Sequence, residues 1–315
     1  PRSQLATRVA NCDPLRMANL EAMATQLESF GVWQFTDGQS SAQAREMAQR
    51  IESLGYSALW IPEAVGRHAF VNSTNLLGAT EHLIVATGIA GIYNRHPGVM
   101  MMGATELDEL SDGRFLLGLG VSHAPIVSGL RGLAYDKPLS AMRTYLTQMA
   151  EAPIMIPGGQ MPPVVLAALG PKMLDLAAAE TVGAHPYWTT PEHTAQAREI
   201  MGDDAWLCVE QKCVLTTDRQ VAHERANDQL SIYISLPNYR NNWLRLGFTD
   251  EEIDGREPRF LDAVVAWGDE DAIAARLQEH RDAGASHVCI QAVDPSGEQS
   301  MPDWRLLEAF APADR

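Results

Sequence analysis

The chain has 315 residues, 46% of them hydrophobic, with a formal charge of −16 and a pI near 4.9. That length holds one large barrel or two ordinary domains, and the hydrophobic share is ordinary for a soluble globular protein. The acidity argues against nucleic acid as a partner, because phosphate backbones are bound by basic faces.

Four cysteines (Cys12, Cys208, Cys213, Cys289) form no CxxC pair. Zinc and redox motifs are therefore disfavoured, and a reduced, cytoplasmic setting is expected. No apolar run reaches the length of a membrane span, and the first residues lack a signal-peptide core, so no membrane partner is expected either. Residues 1–29 read as a polar helical extension and residues 30–315 as one barrel domain, since no Ser/Gly/Pro-rich linker divides them.

From residue 30 a short apolar run followed by an amphipathic stretch recurs about eight times. Phe30–Phe35 leads into Ala42–Leu54, Ala58–Ile61 into Thr74–Glu81, and Leu83–Tyr93 into Val99–Leu110. Phe115–Val121 leads into Leu139–Met149, Val164–Leu169 into Met173–Thr181, and Gly183–Trp188 into Glu192–Met201. Trp206–Leu215 leads into Val221–Ile234 and an insertion, then a helix over Ala272–Gly284; His287–Val293 closes the series before Trp304–Phe310. Strands alternating with helices imply parallel pairing, because each crossover returns the chain to the same end of the sheet. Eight units fit a closed (β/α)8 TIM barrel with an insertion between strands 7 and 8, whose chemistry lies in the loops after the strands.

Those strand ends carry the candidate residues. The second strand ends on Glu63, either a functional acid or an exposed strand-end carboxylate. The third is broken by Gly88 and Gly91, and glycine inside a strand suggests a bulge or a close ligand. It runs into Asn94-Arg95-His96-Pro97, where proline suits a helix start. The fourth strand follows the turn Ser111-Asp112-Gly113-Arg114 and ends on Ser122-His123. A histidine there shuttles a proton or packs under the following loop. The loop Ala124–Pro138, with Arg131 and Tyr135, is long enough to cover a site.

The fifth strand runs into Gly170-Pro171-Lys172-Met173. A helix N-terminus reached through glycine binds anions, and Lys172 adds charge. The sixth ends at His185-Pro186-Tyr187-Trp188, followed by Thr190 as an N-cap and Pro191. Tyr187 and Trp188 either pack on a ligand ring or fill core. Residues 232–262 are aromatic and amide-rich (Tyr233, Tyr239, Asn241, Asn242, Trp243, Phe248) and read as short helices that line a pocket or pack on the surface.

Three motifs fail. Gly118-Leu119-Gly120 opens like a dinucleotide fingerprint, but His123 replaces the third glycine. Ser122 lacks the closing glycine of a nucleophile elbow. His223-Glu224 lacks the second zincin histidine, Asn227 standing in its place. No ligand cluster emerges and no metal is expected.

Taken together, several stretches resemble the luciferase-like flavin barrels, and within them the actinobacterial branch using the deazaflavin coenzyme F420. They are Phe30-Gly31-Val32-Trp33, Ala58 to Glu63, Ala86-Thr87-Gly88-Ile89 with Arg95-His96-Pro97, Leu110 to Phe115 with Gly118-Leu119-Gly120, Gly170 to Met173, and Gly183 to Tyr187. The resemblance spans roughly residues 30 to 200 and the tail from Gly284 to Val293.

It implies an oxidoreductase that moves a hydride between coenzyme F420 and a small organic substrate at the barrel mouth, in a homodimer. Gly88, Ile89 and Ala90 would form a bulge behind the cofactor ring, with a non-prolyl cis peptide. Gly170, Pro171, Lys172 and Met173 would hold phosphate. His185 would join the cofactor site. His123 would be the general acid or base, and Glu63 would orient it or the substrate. Relatives in the sugar-phosphate dehydrogenase branch carry a glutamate where His123 stands, which disfavours that chemistry here. The polyanionic coenzyme tail needs local cations, for which Lys172, Arg131 and Arg95 are candidates. The alternative is a luciferase-like monooxygenase using FMN, reduced flavin and oxygen, since a single phosphate needs less positive charge. A non-catalytic cofactor-binding barrel and a metal-dependent hydrolase are the further alternatives.

Overall fold

A computed structural model describes residues 14–312, with side chains from residue 20 onward. The strands are β1 (Gly31–Trp33), β2 (Ala58–Ile61), β3 (Ile84–Thr87), β4 (Ala90–Gly91), β5 (Phe115–Gly120), β6 (Val164–Leu166), β7 (Gly183–Ala184), β8 (Trp206–Leu215), β9 (Val265–Gly268) and β10 (His287–Ala292). All strand pairs are parallel, in the order β10-β1-β2-β3-β5-β6-β7-β8, and β8 pairs back with β10 to close the barrel. The expected (β/α)8 barrel is present. Of the expected extension, the described part is helix α1 (Pro14–Leu27); residues 1–13 lie outside the described residues. Among the described residues no helix is long and apolar enough to cross a membrane.

Strand alternation builds two cores, because successive side chains point to opposite faces. Val32, Leu59, Ile61, Val85, Leu117, Val209 and Ile290 face the helices. Trp33, Trp60, Ala86, Leu116, Val165, Cys208 and Cys289 fill the barrel interior.

Helix starts follow their capping chemistry. Pro97 and Pro191 open their helices behind the N-caps His96 and Thr190. The second crossover helix, α2 (Ala69–Leu77), begins five residues before the expected Thr74, because the His68 ring nitrogen accepts from the Phe70 and Val71 N–H groups. The expected helix after β8 is α3 (Arg219–Tyr233), and the insertion behind it holds three more: α4 (Pro237–Arg245), α5 (Asp250–Gly255) and α6 (Pro258–Val264). It also contains β9, to which the sequence pattern assigned nothing. Cys213 pairs with Ala292 and with Ala266, so β10 and β9 lie on opposite edges of β8. The two-residue β7 covers only Trp206 and Leu207, and β9 takes up Lys212 to Leu215.

The expected third strand is divided: β3 and β4 flank Gly88-Ile89, and both pair with β5. This division explains the false fingerprint. Thr87 Oγ1 donates to the Gly118 carbonyl at 2.7 Å and accepts from its N–H at 2.9 Å. A Cβ on Gly118 would lie 1.8 Å from the Thr87 carbonyl oxygen, and one on Gly120 would lie 2.4 Å from Ile89 Cγ1. Glycine is required at both positions by close backbone approach, without any nucleotide. Gly118→Ala is expected to destabilise the fold by about 3 kcal/mol, because overpacking here meets backbone and not a flexible side chain. Urea denaturation of the variant checks this.

Candidate active site

The mouth is organised around Gly88–Ala90. Gly88 and Ile89 are half-buried, while Thr87 and Ala90 on either side are buried. The Gly88–Ile89 peptide is cis. The segment is tied to the second strand: the Gly88 N–H donates to the Ile61 carbonyl at 2.8 Å, and the Glu63 N–H donates to the Ile89 carbonyl at 3.2 Å.

Two rings stand behind it. A Cβ on Gly88 would lie 2.7 Å from Trp33 Nε1 and 3.1 Å from His185 Nε2. Both nitrogens are buried, with no hydrogen-bond partner among the described residues. His185 donates through Nδ1 to the Cys208 carbonyl at 2.8 Å, leaving Nε2 an acceptor. Burial pushes its pKa down to about 4, against the opposing Cys208 hydrogen bond. It stacks on Trp60 at 4.2 Å and 13°, and the Trp60 N–H donates to His287 Nε2 at 3.0 Å.

Glu63 is fully engaged. Its carboxylate pairs with Arg95 and accepts from Gly91 N–H at 3.0 Å, Asn94 Nδ2 at 2.7 Å and Ala69 N–H at 3.2 Å. Burial alone would raise its pKa; the Arg95 hydrogen bond and charge, with Gly91 and Asn94, outweigh burial and hold it below the usual carboxylate range. Such a carboxylate anchors the turn after β4. Arg95 is spent in the same pair, which removes it from the cations open to a ligand. Arg131 is turned to the Ala64 carbonyl at 2.7 Å.

His123 follows β5 through Ser122, a residue in the left-handed region (φ 54°) whose carbonyl accepts from Tyr135 Oη at 3.1 Å. Burial lowers the His123 pKa, and a hydrogen bond with Asn238 opposes that shift. Its ring lies 5.5 Å from Tyr239. The imidazole is therefore neutral at pH 7 and can accept a proton.

The insertion closes an aromatic layer over the barrel. Tyr239 packs on Tyr233 at 5.2 Å and Tyr187 at 6.2 Å, and Tyr187 on Trp33 at 4.9 Å. The Tyr187 hydroxyl donates to Gln291 Oε1 at 3.1 Å. Tyr187 thus packs within this layer. Below it, Lys212 and Glu210 form a fully buried ion pair that the sequence reading passed over. The signal was present: Glu210 and Lys212 flank Gln211 in the middle of a strand whose two ends are apolar.

Gly170 precedes a ten-residue helix, Pro171–Glu180, and makes no side-chain cap. Lys172 is exposed at its first turn, and Met173 packs partly into the outer core. A Cβ on Gly170 would lie 3.6 Å from an Arg245 guanidinium nitrogen. Arg245 also donates to Asn242 Oδ1 at 3.0 Å, while the buried Asn242 Nδ2 has no partner among the described residues. Sequence reasoning missed Arg245, because α4 brings it to Gly170 from 75 residues away. An uncapped helix N-terminus beside an arginine suits an anionic group. Among the described residues no cluster of three or more His, Cys, Asp or Glu side chains could hold a metal ion.

Comparisons with known proteins agree with the fold. A Mycobacterium tuberculosis protein whose name proposes a coenzyme F420-dependent oxidoreductase is 24% identical, over 83% of this chain and 93% of its own. The F420-dependent tetrahydromethanopterin reductase of Methanopyrus kandleri superposes with a TM-score of 0.68 at 16% identity, covering 90% of this chain and 97% of its own. The FMN-bound oxygenating constituent of 3,6-diketocamphane monooxygenase from Pseudomonas putida gives 0.67 at 13% identity, over 90% and 97% of the two chains. At such identities the structures show the shared fold. The luciferase-like monooxygenase family model matches residues 25–287, and the chain belongs to that family.

Proposed function

We propose that this chain transfers a hydride between coenzyme F420 and a small organic substrate at the carboxyl-terminal mouth of the barrel. The observation that carries this is the half-buried Gly88–Ile89 step, with Ala90 buried after it and Trp33 and His185 packed behind it. The missing Cβ of Gly88 points at Trp33 and His185, so those two rings pack directly on the backbone against which a planar ring would lie. Gly88, Ile89 and Ala90 would back that ring, with His185 behind them. Gly170, Pro171, Lys172 and Met173, joined by Arg245, would hold the phosphate-bearing tail. The name of the mycobacterial relative supports the same coenzyme.

The bound coenzyme supplies the hydride acceptor or donor. His123 takes or returns the proton at the substrate. Glu63 acts at one remove, holding the Gly91–Arg95 turn and the Ile89 carbonyl in place. A cytoplasmic homodimer completes the proposal. Exposed Val71, Val99 and Met102, on the helices after β2 and β4, support a self-contact, and sedimentation velocity tests it.

An FMN monooxygenase is the second reading, favoured by the description of the matched family and by the FMN-bound relative. Titration with each coenzyme separately, following ring fluorescence, decides between them. Tight binding of F420 alone supports the proposal. Preference for FMN supports the second reading, and binding of neither overturns both. Arg245→Gln is expected to weaken F420 roughly three- to tenfold, as suits a half-exposed charge, with a smaller loss for FMN.

A further inference from the structure

The seventh barrel strand carries charge where a strand interior is normally apolar. Alternation turns Cys208, Glu210 and Lys212 of β8 to the same face, the barrel interior. The Lys212 and Glu210 side chains are each 1% exposed, with Nζ 3.0 Å from Oε1. Lys212 Nζ also lies 3.7 Å from the Tyr187 ring centroid and 3.8 Å from that of Trp188. Glu210 Oε2 accepts from the Trp188 N–H at 3.3 Å. The charged groups of the pair are thus engaged by each other, by the Trp188 N–H and by two aromatic faces.

Such a pair contributes little to stability, since apolar residues of similar volume serve a core as well or better. Its orientation suggests another use. Parallel strands point their carboxyl ends to the mouth, so the Lys212 backbone lies about 6.6 Å farther along the strand towards the mouth than that of Glu210. The pair turns its positive end to the site. A chain of rings links the pair to Gly88: Tyr187 touches Lys212, Trp33 packs on Tyr187, and Trp33 Nε1 crowds Gly88. Aromatic faces carry no counter-charge, and burial excludes the water that would screen the field.

We propose that the Glu210–Lys212 pair sets the redox preference of the site, its positive end favouring the hydride-loaded form of the coenzyme over the hydride-free form. A hydride is two electrons and one proton, so the ring that receives it gains one unit of negative charge and the donor loses one. A buried cation below the ring therefore stabilises the loaded form. This rests on Gly88–Ala90 being the ring site.

The test compares dissociation constants for oxidised F420 and, anaerobically, for reduced F420, in the native protein and in Lys212→Met. Lys212→Met is expected to weaken the reduced form about tenfold relative to the oxidised one, a fall of about 30 mV in the potential of the bound two-electron couple. A purely structural role would weaken both forms alike and leave the ratio unmoved. If Lys212→Met does not fold, the double variant Glu210→Gln/Lys212→Met leaves no unpaired buried charge and is expected to shift the ratio the same way. An unchanged ratio in a folded variant overturns this proposal while leaving the coenzyme assignment intact. Failure of the native protein to bind either redox form removes the coenzyme assignment, and this proposal with it.

Discussion

Lowering the pH from 7 to 5 is expected to unfold the protein. Four histidines lie in the interior, each at most 2% exposed: His185, His193, His280 and His287. Burial pushes His185, His193 and His287 down to about 4, and His280 to about 3, from an ordinary 6.5. Each has a structural use for its neutral ring. His193 meets the Leu169 carbonyl at 2.9 Å. His280 bridges Thr194 Oγ1 and Gln211 Oε1, both at 2.8 Å. His287 bonds the Leu27 carbonyl at 2.8 Å and accepts from Trp60.

The unfolded chain binds protons at these sites from about 6.5 downward, and the folded chain does not. Their stability contribution is therefore full above 6.5 and is lost as the pH falls towards 4. At pH 5 each group forfeits about 2 kcal/mol, so the four together forfeit about 8 kcal/mol, which is comparable to the whole stability of a typical domain. Glu63, held below its ordinary range, adds to the loss only at lower pH. Circular dichroism at equilibrium across pH 7.5 to 4.5 reads the transition. A chain still folded at pH 4.5 would mean that these rings accept protons in place.

The same contacts show what sequence could and could not reveal. The eight barrel strands were legible because each is an apolar run bounded by turn residues, and Pro97 and Pro191 marked their helices as proline does at a first turn. β9 was not legible: α6 ends at Val264 and β9 begins at Val265, with no turn residue between them to mark the change. The start of α2 was hidden because its cap is a histidine ring, outside the usual Ser, Thr, Asp and Asn. At the mouth, position along the chain marked His123, Gly88 and Gly170, since each follows or interrupts a strand. Partnership was invisible. Glu63 looks reactive as a bare strand-end acid, yet Gly91, Asn94 and Arg95, which engage it, come from β4 and the turn after it. Arg245 belongs to Gly170 only once the insertion has folded over the barrel.

His123→Ala is expected to lower turnover by about 10²- to 10⁴-fold, the usual worth of a positioned general acid or base, while leaving coenzyme affinity unchanged. The separation follows from position. His123 sits on the loop after β5, held by Asn238 and facing Tyr239, whereas the segments assigned to the coenzyme are Gly88–Ala90 and Gly170–Met173. Ring fluorescence should therefore titrate as in the native protein. A pH profile alone would mislead, because burial places the His123 titration below 6.5, where the interior histidines are already undermining the fold. Added imidazole is the cleaner probe. It should enter the space vacated beside Tyr239 and restore part of the lost rate, as a missing proton carrier allows and a merely displaced loop does not. Full turnover without His123 would move the proton transfer to another group, with Tyr239 and Tyr187 then the nearest hydroxyls of the layer to test. Unchanged binding with no turnover in either protein would instead favour a barrel that holds its coenzyme without chemistry.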